Sequence, residues 1–127
     1  MDGTLDIEHA PGVDVLVLRG EHDLSTQTHL QEQIDRALNA GKSVVVDLSA
    51  VEFIDSTVLA AILHGQRRAT DGYDGQGLAV VASPGAAFVA RMLSLVHIDG
   101  QVAVHRSRDC AVVSLQRAVD RQDGIAS

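Results

Sequence analysis

The sequence predicts an α/β domain: a mostly parallel sheet with an antiparallel N-terminal strand and about four helices, in the order ββαβαβαβα. Three observations carry that expectation. Short β-branched runs alternate with segments whose apolar residues recur at helical spacing, a pattern that folds as strand–helix–strand crossovers. The first two apolar runs are instead joined by Ala10-Pro11-Gly12, a turn sequence that makes a hairpin. The chain has 127 residues, 46% of them hydrophobic, enough for one core without a disulfide or metal. Residues 1–127 therefore read as a single domain, its core at about 4–120.

Leu5 and Ile7 mark the first strand, and Val13 to Leu18 the second, more buried one. After Gly20-Glu21-His22-Asp23, read as a loop, Leu30, Ile34, Ala37 and Leu38 form one helical face, with Ser25 or Thr26 as cap and Gly41 as stop. Ser43 to Leu48 is β-branched and brief, the signature of a buried strand. Ser49 to Asp55 read as a loop with two apolar anchors, Phe53 and Ile54. A second helix turns Val58, Leu59, Ile62 and Leu63 inward and His64, Gln66, Arg67 and Arg68 outward. Asp71 to Gly77 stop it, and Leu78 to Ala82 form the fourth strand. Ser83-Pro84 has the cap-then-proline form of a helix start, with Phe88, Met92 and Leu95 as its face. Val102 to Val104 is a last short strand. A final helix from about Ser107 carries Ala111, Val112, Leu115, Ala118 and Val119, and the tail after Asp120 reads as frayed.

Charge and composition exclude several function classes. Ten Lys and Arg against seventeen Asp and Glu oppose a phosphate-backbone footprint, and three aromatic residues cannot build a base-stacking platform. Residues 1–63 hold eleven acids and three bases, whereas residues 64–127 are nearly balanced. No apolar run approaches the ~18 residues of a membrane span, and the polar start, Met1-Asp2-Gly3-Thr4, is unlike a secretory signal. The expectation is a cytoplasmic protein that binds neither nucleic acid nor membrane.

Enzyme and cofactor signatures are sparse. There is no phosphate-binding GxxxxGK[ST], and Gly75-Gln76-Gly77 precedes a strand, whereas a dinucleotide fingerprint follows one. The six histidines lie on different elements without metal-ligand spacing, so no metal and no cofactor are expected. Cys110, the single cysteine, has no histidine beside it and reads as a packing thiol at a helix start. Asp23, Asp47 and Asp55 sit at or after strand ends, where open sheets keep their sites, but no nucleophile–base pair accompanies them. Asp55-Ser56-Thr57 lands where the second helix begins. Three cap-competent residues exceed the need of one cap, and a hydroxyl there lies where helix N–H groups stabilise an added phosphate.

Gly20-Glu21-His22-Asp23 and Asp47-Leu48-Ser49 followed by Phe53-Ile54-Asp55-Ser56-Thr57-Val58-Leu59 resemble the two motifs of the STAS domains of bacterial anti-sigma factor antagonists. The element order agrees over roughly residues 4–120. The resemblance implies a STAS-like fold and no catalytic activity. It implies that Ser56 is the phosphoacceptor, with Thr57 as second choice. It assigns partner binding to Asp23, Glu21, His22, Asp55, Thr57 and Val58; many members have Gly at the Val58 position, which admits a partner's backbone. The partner implied is an anti-sigma factor with serine kinase activity, with a phosphatase as a further partner. Phosphorylation of Ser56 would switch the antagonist off and so regulate sigma-factor-dependent transcription by a monomer or weak homodimer. The alternative is a non-switching STAS subunit or scaffold of a larger assembly, such as a lipid-transport or stress-signalling complex. Nucleotide binding at the loop ends is a third reading, opposed by the missing phosphate loop and the acidic surroundings.

Overall fold

A computed structural model describes residues 3–22, 24–72, 76–82 and 102–126. Ala10-Pro11-Gly12 reverses the chain, with Gly12 at a φ of 73° that only glycine adopts without strain. Strands β1 (Thr4–Ala10) and β2 (Val13–His22) then pair antiparallel, from Ala10↔Val13 to Thr4↔Arg19. Helix α1 (Leu24–Asn39) ends in a Schellman motif: Lys42 N–H donates to Ala37 O and Gly41 N–H to Leu38 O, with Gly41 at φ 80°. Strand β3 (Ser43–Ile54), helix α2 (Ser56–Gly72), strand β4 (Leu78–Val81), strand β5 (Ala103–His105) and helix α3 (Arg108–Ala126) follow. The sheet order is β1-β2-β3-β4-β5, parallel from β2 onward.

The predicted class is therefore the observed one, with five strands and three described helices. The helix expected from Ser83-Pro84 lies outside the described residues. Helix α3 begins where the sequence places it, because Ser107 Oγ accepts the Cys110 N–H at 3.2 Å. It continues past Asp120 to Ala126 where a frayed tail was expected.

Both strands that lead toward the candidate site are longer than predicted. Strand β2 passes Leu18 to reach His22, and β3 passes Leu48 to reach Ile54. The extensions pair with each other, Arg19↔Ala50, Gly20↔Val51, Glu21↔Phe53 and His22↔Ile54, around two bulges. Segments containing Gly20, Glu21, Ser49 and Glu52 have poor strand propensity, and pairing across the sheet overrides it. Residues 20–22 and 49–54 are thus strand, not loop. Helix α1 starts before Ser25 and Thr26, so neither is its cap; Thr26 Oγ1 instead lies 3.1 Å from His22 Nδ1.

Two apolar layers flank the sheet. On one face Leu30, Ile34, Ala37 and Leu38 of α1 and Val58, Leu59 and Ile62 of α2 pack on Leu16, Leu18, Val44, Val46, Leu48 and Val80. On the other, Ala111, Val112 and Leu115 of α3 cover Val13, Val15, Val17, Val45 and Val81. Burial on both faces explains why the central strands read as continuous apolar runs. The two helices of the larger layer approach closely at Gly65, where a Cβ would come within 2.8 Å of Ile34 Cγ2. Arg68, expected outward, ties α2 to Asp35 and Asn39 of α1.

The smaller layer is closed by a charged contact. Asp47 of β3 is 2% exposed. Its Oδ2 accepts from Nε and Nη2 of Arg108 at 3.0 and 2.9 Å, while Oδ1 accepts the Ser49 N–H at 2.9 Å and the Ser49 hydroxyl. Arg108 also donates to Glu8 of β1, and the hydrogen bond to Asp47 is the main reason its pKa lies above the ordinary guanidinium value. Removing one partner of a buried pair strands the other charge. Arg108→Met is expected to cost about 3 kcal/mol of unfolding free energy by denaturant titration, and adding Asp47→Asn to restore at least half of it.

Candidate functional site

The site lies where the β2–β3 ribbon delivers the chain into α2. The Asp55 N–H donates to His22 O at 2.9 Å, so the end of β2 sets the position of the residue that starts the helix. Asp55 is the N-cap. Its Oδ1 accepts the Thr57 N–H at 2.8 Å and the Thr57 hydroxyl at 3.0 Å, and its carbonyl accepts from Val58 N at 3.1 Å and Leu59 N at 3.3 Å. One carboxylate thus satisfies the cap and holds the second hydroxyl.

Ser56 follows as the first helical residue and is exposed. Its Oγ stands 3.5 Å from Asp55 Oδ1, beyond the usual range of an O–H···O bond. The hydroxyl that the cap leaves free of strong bonding is therefore also the one that solvent reaches. Thr57 is half-buried and bonded to Asp55, so the two hydroxyls are not equivalent. The helix N-terminus gives the surroundings a positive backbone potential, opposed locally by the Asp55 carboxylate.

Other predicted residues fall differently. Glu21 is exposed on β2 opposite Phe53. Asp23 lies outside the described residues. His22 is 1% exposed: its Nε2 lies 3.0 Å from Arg19 O, which only accepts, so Nε2 carries the proton and Nδ1 faces the Thr26 hydroxyl. Val58 is 0% exposed and belongs to the larger core layer. Both were expected to contact a partner, and both side chains point into the domain because their neighbours on strand and helix are the core-facing ones. Valine in place of glycine at position 58 therefore leaves the Ser56 surface open.

The apolar pair Phe53 and Ile54 also divides: Ile54 is 1% exposed and anchors the core, whereas Phe53 is 45% exposed. Cys110 is exposed, not packed, with Sγ 3.4 Å from His105 Nδ1; β5 brings that histidine to the start of α3. Asp47, a candidate ligand or acid–base group by its place at a strand end, is occupied by Arg108 and Ser49. Among the described residues no group of three His, Cys, Asp or Glu is arranged to hold a metal, and no helix is long and apolar enough to cross a membrane.

Residues 5–113 match the protein family described as Mlab, STAS domain. No curated protein matches the sequence. Among solved structures, an anti-sigma factor antagonist from Mycobacterium paratuberculosis is 27% identical with a TM-score of 0.77, over 91% of this chain and 95% of that one. The anti-sigma factor antagonist SpoIIAA in its unphosphorylated form is 17% identical, TM-score 0.70, over 89% and 96% of the two chains. The Bacillus cell fate determinant SpoIIAA in the phosphorylated form is 14% identical, TM-score 0.63, over 88% and 99%.

The cap assignment has a measurable consequence. Asp55→Ala is expected to lower unfolding free energy by about 1 kcal/mol, and Asp55→Asn, which keeps a capping oxygen, by only a few tenths. Denaturant titration of the two variants separates capping from charge.

Proposed function

The chain belongs to the STAS domain family, and within it we propose the role of an anti-sigma factor antagonist that is switched by phosphorylation of Ser56. The supporting observation is the exposed Ser56 hydroxyl at the first position of α2, left aside by a cap that engages Thr57. The likeness at 27% identity to an anti-sigma factor antagonist supports the role. That SpoIIAA has a phosphorylated form supports the chemistry.

In this reading the unmodified protein binds an anti-sigma factor with serine kinase activity and frees a sigma subunit in the cytoplasm. The kinase brings ATP to the site. Ser56 Oγ forms the new O–P bond, its proton passes to a base of the kinase, and ADP leaves. The antagonist supplies a substrate hydroxyl and is not itself an enzyme.

The product carries about −1.5 to −2 charge beside Asp55. Two unit charges ~6 Å apart at an effective dielectric near 20 repel by roughly 3 kcal/mol. A loss of that size at the interface weakens the complex about a hundredfold. Within the domain the phosphate meets the positive end of α2, so the fold survives while the complex does not. A phosphatase resets the switch by hydrolysing the ester.

The match to the family described as Mlab favours a second reading, a non-switching STAS subunit of a larger assembly. Incubation with the cognate anti-sigma kinase and ATP, followed by phosphosite mapping, decides between them. Phosphate on Ser56 is expected, and phosphate on neither Ser56 nor Thr57 overturns the switch. Ser56→Asp is expected to weaken kinase binding at least ~10-fold. Its melting temperature should change by no more than ~2 °C, because an acid at the first helical turn suits the helix end.

A further inference from the structure

Between the body of the sheet and Ser56, the β2–β3 ribbon carries a run of exposed side chains on one face. Strand β4 pairs with β3 only from Val44 to Asp47, so among the described residues the distal half of β3 pairs with β2 alone. One face of this ribbon is core, formed by Leu18, Leu48, Val51, Ile54 and the imidazole of His22. Of the remaining positions, Arg19, Glu21, Ala50, Glu52 and Phe53 are exposed, and Gly20 and Ser49 are half-buried. Solvent reaches 45% of Phe53, the largest exposure among the large hydrophobic side chains described.

Resting on the proposed function, we infer that this ribbon face, centred on Phe53, is the anchoring surface for the anti-sigma partner, which meets it with an apolar pocket rimmed by basic side chains. Position supports this. Phe53 precedes Ser56 by three residues, roughly 10 Å of extended chain. A stable interface covers about 800 Å² on each side, so a kinase that reaches the Ser56 oxygen also covers the ribbon.

Chemistry supports it as well. Interface energy concentrates in a few central aromatic residues surrounded by a polar rim, and the rim here is acidic: Glu21 sits across from Phe53, Glu52 precedes it and Asp55 follows, against Arg19 alone. An acidic rim selects a basic counterface and speeds encounter, while the aromatic side chain sets residence time. Separating the anchor from the phosphoacceptor also fits a switch, because the hydroxyl can be modified without altering the surface that first captures the kinase.

The test compares binding of the cognate anti-sigma kinase to the 127-residue protein and its variants. Phe53→Ala is expected to raise Kd ten- to a hundredfold, mostly through faster dissociation, measured at a temperature where its melting curve shows the variant fully folded. The double variant Glu21→Gln, Glu52→Gln is expected to slow association at low salt and to match the unmodified protein at high salt. If the unmodified protein binds and Phe53→Ala binds within twofold of it, the anchoring surface is refuted and the proposed function stands. If the unmodified protein neither binds the kinase nor is phosphorylated, both are refuted. Sedimentation provides a separate check: a dimer of this chain that Phe53→Ala dissociates would make the face a self-association surface and overturn the inference.

Discussion

Strand pairing beyond the edge of β4 is the constraint on which the site depends. A hydrogen bond from Asp55 N–H to His22 O closes the β2–β3 ribbon, and the same residue then caps α2 through its side chain. Asp55 thus belongs to sheet and helix at once. The direction of α2, the exposure of Ser56 and the inward turn of Val58 follow from where that junction is held. Deep in the domain, the buried His22 secures the junction from behind by joining Arg19 O to Thr26 of α1.

The two neighbouring hydroxyls show how one carboxylate can create a chemical difference. Thr57 faces the Asp55 oxygen and becomes part of the cap, while Ser56, one residue earlier on the helical spiral, faces solvent. A free hydroxyl at a helix N-terminus suits phosphorylation on two counts: it is accessible, and the backbone dipoles favour the anion formed. In the proposed switch, phosphorylation of Ser56 alters recognition without taxing stability. Around it the described surface is acidic and carries the half-exposed Phe53, the combination from which the proposed basic partner is argued.

On the other face of the sheet, Asp47 performs structural work. Its carboxylate gathers Arg108 of α3 and both polar groups of Ser49, and Arg108 reaches on to Glu8 of the edge strand. The first motif residue of Asp47-Leu48-Ser49 thereby fastens α3 at the last position where β3 pairs with β4. Leu48, next in the motif, turns to the opposite layer, as strand alternation requires. A motif that reads as chemistry at a strand end is, in this part, a brace for the strand that leads to Ser56.

Local pattern was enough for the class of fold, the order of its elements and the position of the hydroxyl-bearing helix start. Apolar spacing at Leu30, Ile34, Ala37 and Leu38, the glycine turn at Gly12 and the stop at Gly41 each act through neighbours close along the chain. The extended ends of β2 and β3 were not readable in this way. Gly20, Glu21, Ser49 and Glu52 have no strand preference of their own and become strand only because the two segments that carry them pair across the sheet. The same limit applied to His22 and Val58, which motif position placed on the surface and core packing turned inward, and to Cys110, whose histidine neighbour arrives from β5. Sequence alone determined which residues are available to the site; tertiary structure decided which of them face outward, because that choice depends on the register of distant strands and on which side of each element the core claims.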